Sequence, residues 1–115
     1  MEVTAKLKHV RLAAQKGRLV AALVRNQRCD EALSILKACP KSAARPIEKL
    51  VRSALANAQV MNERSSAGID LDNLYVKRIE VDQATHSWRI RPRAMGRAYW
   101  YRKFSSHVTL VLDER

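Results

Sequence analysis

The sequence predicts an α+β fold: three helices packed on a small three-stranded antiparallel sheet, with a long protruding β-hairpin. Three observations carry this expectation. Short segments near both ends and in the middle of the chain alternate apolar and polar residues, the period of half-buried strands. Between the first two of these segments, apolar residues recur at helical spacing. Between the last two lies a stretch rich in arginine and aromatics, and from Asp82 to Asp113 no other Asp or Glu occurs.

Val3, Ala5 and Leu7 alternate with Thr4, Lys6 and Lys8, so the first strand has a basic outer face. A helix is expected over about Ala14 to Arg25, with Leu19, Val20, Leu23 and Val24 on its buried face and Lys16, Arg18 and Arg25 off it. Gly17 weakens that helix by about 1 kcal/mol relative to Ala. Asp30 suits the N-cap or first turn of a short second helix ending near Ala38, before Pro40, with Leu33 and Leu36 inward. The third helix spans about Lys41 to Asn62. Its apolar stripe is Ile47, Leu50, Val51, Ala54, Leu55, Ala58 and Met61. Pro46, near its start, removes one backbone donor and predicts an irregular first turn rather than a break. Residues 62–72 are polar, hold Gly68 and read as a loop. Strands follow at Leu74–Asp82 and at His107–Leu112. Residues 1–115 form a single domain without repeat or linker, and 82–106 are its extended β-hairpin arm.

Charge narrows the function. A formal net charge of +11 and a pI near 10.4 attract polyanions. Nucleic acid is the commonest of these for a basic domain, and an anionic membrane surface is the rival. The longest apolar run, Leu19 to Val24, falls far short of the roughly 20 residues of a spanning helix. The first residues carry no signal-peptide core. The chain is therefore expected to begin at or near Met1 and to stay in the cytoplasm. Cys29 and Cys39 flank the second helix, about 15 Å apart at about 1.5 Å per residue. That is too far for a disulfide, and no cluster of further ligands stands nearby for a metal. Two reduced thiols, no metal and no cofactor are the expectation.

The arm carries Arg89, Arg91, Arg93, Arg97, Arg102 and Lys103. It also holds five of the chain's aromatics: Trp88, Tyr99, Trp100, Tyr101 and Phe104. Pro92 and Gly96 mark its turn. From Asp82 to Met95 an extended chain reaches about 43 Å at about 3.3 Å per residue, well beyond a compact body. Period-two alternation puts Arg89, Arg91 and Arg93 on one face, about 6.6 Å apart, a spacing that engages successive phosphates of folded RNA. The guanidinium fork binds phosphate bidentately and stacks on bases. The aromatics have two readings of equal weight: stacking on unpaired bases, or cross-strand pairs that stiffen the hairpin. Lys6, Lys8, Arg11, Lys16, Arg18 and Arg25 are the candidate RNA contacts of the body.

Catalysis is not expected. His9, His86 and His107 are scattered along the sequence, and there is no Walker loop, zinc spacing or nucleophile motif. Ser106 and His107 are neighbours on a strand, so they point to opposite faces and do not form a nucleophile–base pair. A free-standing DNA-binding or RNA-chaperone module is a second class, but the third helix is apolar along one long stripe and reads as core. Membrane-surface binding by the arm calls for an amphipathic helix, which Pro92 and Gly96 disfavour.

Three stretches carry a resemblance that spans nearly the whole chain. They are Lys8-His9-Val10-Arg11 with Gln15-Lys16-Gly17-Arg18-Leu19-Val20; Ser53-Ala54-Leu55-Ala56-Asn57-Ala58; and Arg89-Ile90-Arg91-Pro92-Arg93-Ala94-Met95-Gly96-Arg97-Ala98 with Ser106-His107-Val108-Thr109. On these the chain resembles the large-subunit ribosomal protein of family twenty-two, in its bacterial or organellar form. The resemblance implies a small body seated on large-subunit rRNA near the peptide exit, touching several rRNA domains during assembly and lying beside other large-subunit proteins. It implies a tip, Arg89, Ile90, Arg91, Pro92, Arg93, Ala94, Met95, Gly96 and Arg97, that lines the tunnel taken by the nascent polypeptide. It implies neither an enzyme nor a homo-oligomer. Ala13-Ala14, Pro46, Trp88 and Tyr99-Trp100-Tyr101 depart from the usual family pattern.

Overall fold

The sheet is built around the last strand, because that strand is apolar enough to be buried while paired on both edges. In the computed structural model, which describes residues 2–66 and 68–114, the order is β1 (Val3–Val10), α1 (Ala14–Val24), α2 (Cys29–Ala38), α3 (Ala44–Ser65), β2 (Leu74–Gln83), β3 (Ser87–Pro92), β4 (Ala98–Lys103) and β5 (Ser106–Glu114). Short 3₁₀ turns lie at Leu71–Asn73 and Ala94–Gly96. Ala67, inside the loop expected over 62–72, lies outside the described residues. The main sheet runs β1-β5-β2, antiparallel throughout, and β3 pairs antiparallel with β4.

Val108, Leu110 and Leu112 of β5 point at the helices and are fully buried. Val3 and Ala5 of β1 and Leu74, Val76, Ile79 and Val81 of β2 complete this layer. A bulge between Val76 and Arg78 moves the inward phase of β2 from 74 and 76 to 79 and 81. Above the sheet, α1 lies on β2, α3 lies on β1 and β5, and α2 packs on both helices.

The buried face of α1 differs from the one expected. Gly17, Val20, Ala21 and Val24 are inside, whereas Leu19 and Leu23 are 56% and 48% exposed. The reason is closeness. A Cβ on Gly17 would sit 2.9 Å from Leu12 Cδ2 and 3.1 Å from Val81 Cγ1, so the helix approaches the sheet along its smallest residues. The glycine that costs helix propensity permits the contact.

In α2, Arg28 holds the N-cap position, Asp30 lies in the first turn, and Leu36 is buried while Leu33 is half-buried. α3 begins at Ala44, later than expected, and runs to Ser65. Pro46 falls within its first turn, where backbone N–H groups have no partner to lose, so the helix is unbroken. Its apolar stripe faces inward as the periodicity requires, with Leu55 and Met61 at the margin. Asn62 fastens the following loop: its side chain donates to the Ile69 carbonyl at 2.7 Å and accepts from the Ile69 N–H at 2.8 Å.

The outer edge of β2 is closed by its own chain. Asn26 N–H donates to the Val76 carbonyl and Val76 N–H to the Gln27 carbonyl, each at 2.9 Å. Farther along, Arg25 Nη2 donates to the Ile79 carbonyl at 3.0 Å and Arg18 Nε to the Val81 carbonyl at 3.1 Å. A covered edge cannot template pairing with another chain.

Candidate nucleic-acid interface

The arm begins where β2 and β5 leave the helices. Ala84, Thr85 and His86 on one side stand against Phe104 and Ser105 on the other, and the pairing slips by one residue between Gln83↔Ser106 and Ser87↔Lys103. Ala84 N–H donates to the Ser105 carbonyl at 2.9 Å, and Ser105 Oγ donates to the Thr85 carbonyl. This extra residue is a bulge with a large consequence. Without it, alternation from Val81 would turn Arg89 and Arg91 toward the helix side. With it, they join the open side.

Beyond the bulge the two faces of the ribbon differ in chemistry. Residues directly opposite in an antiparallel pair share a face. The helix-side row therefore holds Trp88, Ile90 and Pro92 opposite Arg102, Trp100 and Ala98. The open-side row holds Ser87, Arg89 and Arg91 opposite Lys103, Tyr101 and Tyr99. Phe104 lines a hollow with Ala13, Ala14, Gln15, Arg18 and Gln83, which fixes its row as the helix side.

Three of the arm's aromatics, Tyr101, Trp88 and Phe104, lie against its arginines. The Arg91 guanidinium lies 5.0 Å from the Tyr101 ring centre. That of Arg102 lies 5.4 Å from Trp88 and 5.3 Å from Phe104. His86 meets Trp88 edge-on, with centroids 5.7 Å apart. Such cation–π contacts orient a guanidinium without neutralising it. At the tip, Arg93 N–H donates to the Arg97 carbonyl at 2.7 Å, and the turn is closed by left-handed Met95 (φ 62°) and Gly96 (φ 68°). Met95 is 94% exposed.

The candidate cations of the body fall into separate groups. Lys6 and Lys8 are exposed on the outer face of β1, the same side as Arg89, Arg91 and Lys103. Arg11 is exposed just after Val10, whose partner Ser106 lies at the base of the arm. Lys16 lies near the hollow that reaches Phe104, and Arg18 lines it. Arg18 and Arg25 each commit a donor to the β2 edge, so part of their role is structural. Arg25 stands farther along β2, away from the arm. Sequence reasoning missed Arg45 and Lys49. With Lys6 they rim a cavity of about 470 Å³ floored by Leu7, Val10, Pro46 and Leu50. Their four-residue spacing on the polar side of α3 was the available signal. Arg45 is partly engaged, donating to Glu48 Oε2 at 3.0 Å and to the Lys37 carbonyl at 3.3 Å.

The histidines are less scattered than the sequence implies. Strand pairing brings the His9 and His107 rings to 4.7 Å, with His107 Nδ1 accepting from the His9 N–H at 3.1 Å. Ser106 Oγ, buried, donates to the Leu12 carbonyl at 2.6 Å and is committed to the fold. Among the described residues no group of His, Cys, Asp and Glu could hold a metal ion. Cys29 and Cys39 are buried free thiols. Burial, with a smaller contribution from Asp30, pushes the Cys29 thiol up to about 11, so it stays protonated near neutrality. No described helix is long and apolar enough to cross a membrane.

The chain matches the family described as Ribosomal protein L22p/L17e over residues 5–113. It belongs to that family. Large ribosomal subunit protein uL22 of Bdellovibrio bacteriovorus is 47% identical over 115 residues, 100% of each chain. Its counterparts in Myxococcus xanthus and Desulfotalea psychrophila are each 46% identical over 114 residues. Those alignments cover 99% of this chain and 97% and 99% of theirs. Membership identifies a bacterial-type ribosomal protein of the large subunit, a structural constituent rather than an enzyme.

Proposed function

We propose that the chain binds large-subunit, 23S-type rRNA, contacts several rRNA domains during assembly, and lines the nascent-peptide exit tunnel with its tip, Arg89 to Arg97. One observation carries this reading. The arm is a carboxylate-free ribbon in which every residue from Ser87 to Trp100 is exposed, on a molecule 65 Å long and only 26 × 16 Å across. The radius of gyration of 17.4 Å exceeds the roughly 13 Å of a compact chain of this size. A two-stranded ribbon is marginal in water by itself. Its cations suit enclosure by phosphates. Arg89 and Arg91 occupy alternate positions on one face, while Lys6, Lys8 and Arg11 extend the contact across the body. The tip, with a non-glycine residue held left-handed in open solvent, is the part suited to a tunnel wall. The partners are then rRNA, neighbouring large-subunit proteins and the passing polypeptide, on cytoplasmic ribosomes and without self-association.

The purified chain titrated with deproteinised large-subunit rRNA tests the reading. If about 6–10 phosphates are contacted, affinity falls about 10³–10⁵-fold between 50 and 200 mM salt. A flat salt response, or preference for duplex DNA at matched salt, overturns it.

A further inference from the structure

Inside the body, the helix side of the sheet is covered by α1 and α3. The same side continues along the arm, where no described element lies over it. There Trp88, Ile90 and Trp100 are 52%, 54% and 66% exposed. Both tryptophans of the chain are in this row. A row of exposed indoles on a projecting ribbon calls for an occupant, and the surroundings restrict its chemistry.

The occupant must tolerate Arg102 within the row, Arg89, Arg91 and Lys103 on the opposite face, and Arg93 and Arg97 at the tip, with no carboxylate between Asp82 and Asp113. That is a polyanion's environment. The phosphates of a closed duplex would satisfy the open-side arginines and leave the indoles in water. An unpaired nucleobase presents a π-face to the ring while its own phosphate remains within reach of the cations. The Trp88 ring is already held by Arg102 and His86, so less of its freedom remains to be lost on stacking.

We propose that the helix-side row of the arm is a base-stacking surface, on which Trp88 and Trp100 take unpaired nucleobases of large-subunit rRNA while Arg89 and Arg91 on the opposite face hold phosphates. This rests on the rRNA-binding reading above and assigns different work to the two faces.

Because the only tryptophans lie in this row, indole fluorescence of the intact chain reports on it directly. Deproteinised large-subunit rRNA is expected to quench both indoles, as resolved with Trp88→Phe and Trp100→Phe. A fully paired RNA duplex is expected to bind with little quenching. Trp88→Ala and Trp100→Ala should each weaken rRNA binding about 5- to 150-fold with the salt slope unchanged, and the Phe variants should recover most of the loss. Arg89→Ala should lower the salt slope by about 1 and keep the quenching at saturation. Saturable rRNA binding with indoles unquenched and open to acrylamide overturns the stacking surface and leaves the rRNA reading standing. Shielding of the indoles only when other large-subunit proteins are added overturns it in the same way. Absence of rRNA binding overturns both. The wild-type measurement needs no variant, so a poorly folded substitution cannot obscure the outcome.

Discussion

Body and arm are joined through the bulge between β2 and β3, yet they meet water in opposite ways. In the body, β2 and β5 turn Val76, Ile79, Val81, Val108, Leu110 and Leu112 into a closed core. In the arm, β3 and β4 turn Trp88, Ile90 and Trp100 into open solvent. The sidedness is unbroken, because the bulge at residues 84–86 keeps the inner row of the body and the apolar row of the arm on one side. What changes is the cover: helices in the body, and no described element over the arm. The body therefore draws its stability from its own core, while the arm is held mainly by the β3–β4 pairing.

Hydrogen exchange offers the widest test of this contrast. In the free chain, amides of β5 should exchange only through global unfolding, and those of β3 and β4 through local opening, more than about 10³-fold faster. Binding rRNA should protect the arm. Equal protection of both regions in the free chain would show that the ribbon is stable alone.

Truncation of one apolar residue in each region gives the next contrast. Leu110→Ala should cost about 2–5 kcal/mol in urea unfolding, because the site is closed and cannot collapse freely. Trp100→Ala, larger on paper, should change the stability of the free chain by no more than about 0.5 kcal/mol. A large stability loss at Trp100 would mean that the arm packs on something in the free protein.

A smaller effect lies at the seam between α1 and β2. Gly17→Ala gains about 1 kcal/mol of helix propensity but places its new Cβ 2.9 Å from Leu12 Cδ2 and 3.1 Å from Val81 Cγ1, an overpacking that costs about 1–3 kcal/mol. A net loss of about 1 kcal/mol in thermal unfolding is expected. A gain would show that Leu12 yields freely.

Much of this was legible in the sequence, for identifiable reasons. The third helix was clear because Ile47 through Met61 repeat over many turns. The arm was clear because it lacks carboxylates and carries the turn formers Pro92 and Gly96, although Pro92 closes β3 and the turn itself spans Arg93 to Arg97. The buried face of α1 was misjudged because leucines outweigh glycine and alanine in a hydrophobic pattern, whereas close approach selects the small residues. The bulge before β3 has no compositional mark, so alternation grouped the arginines without saying which side they occupy. The pairing of His9 with His107 depends on long-range register, which spacing along the chain does not encode. The aromatics of the arm read equally as cross-strand pairs or as base-stacking groups; across the ribbon Trp88 meets Arg102 and Tyr101 meets Arg91, a register the spacing does not encode.

The proposed function places an ordered arm inside rRNA. An electron cryo-microscopy map of large subunits carrying this chain tests it most directly. The arm is expected to lie within rRNA, with Met95 at the tunnel wall and the body nearer the surface. An arm lying in solvent, or packed only on protein, while the body is bound would contradict it.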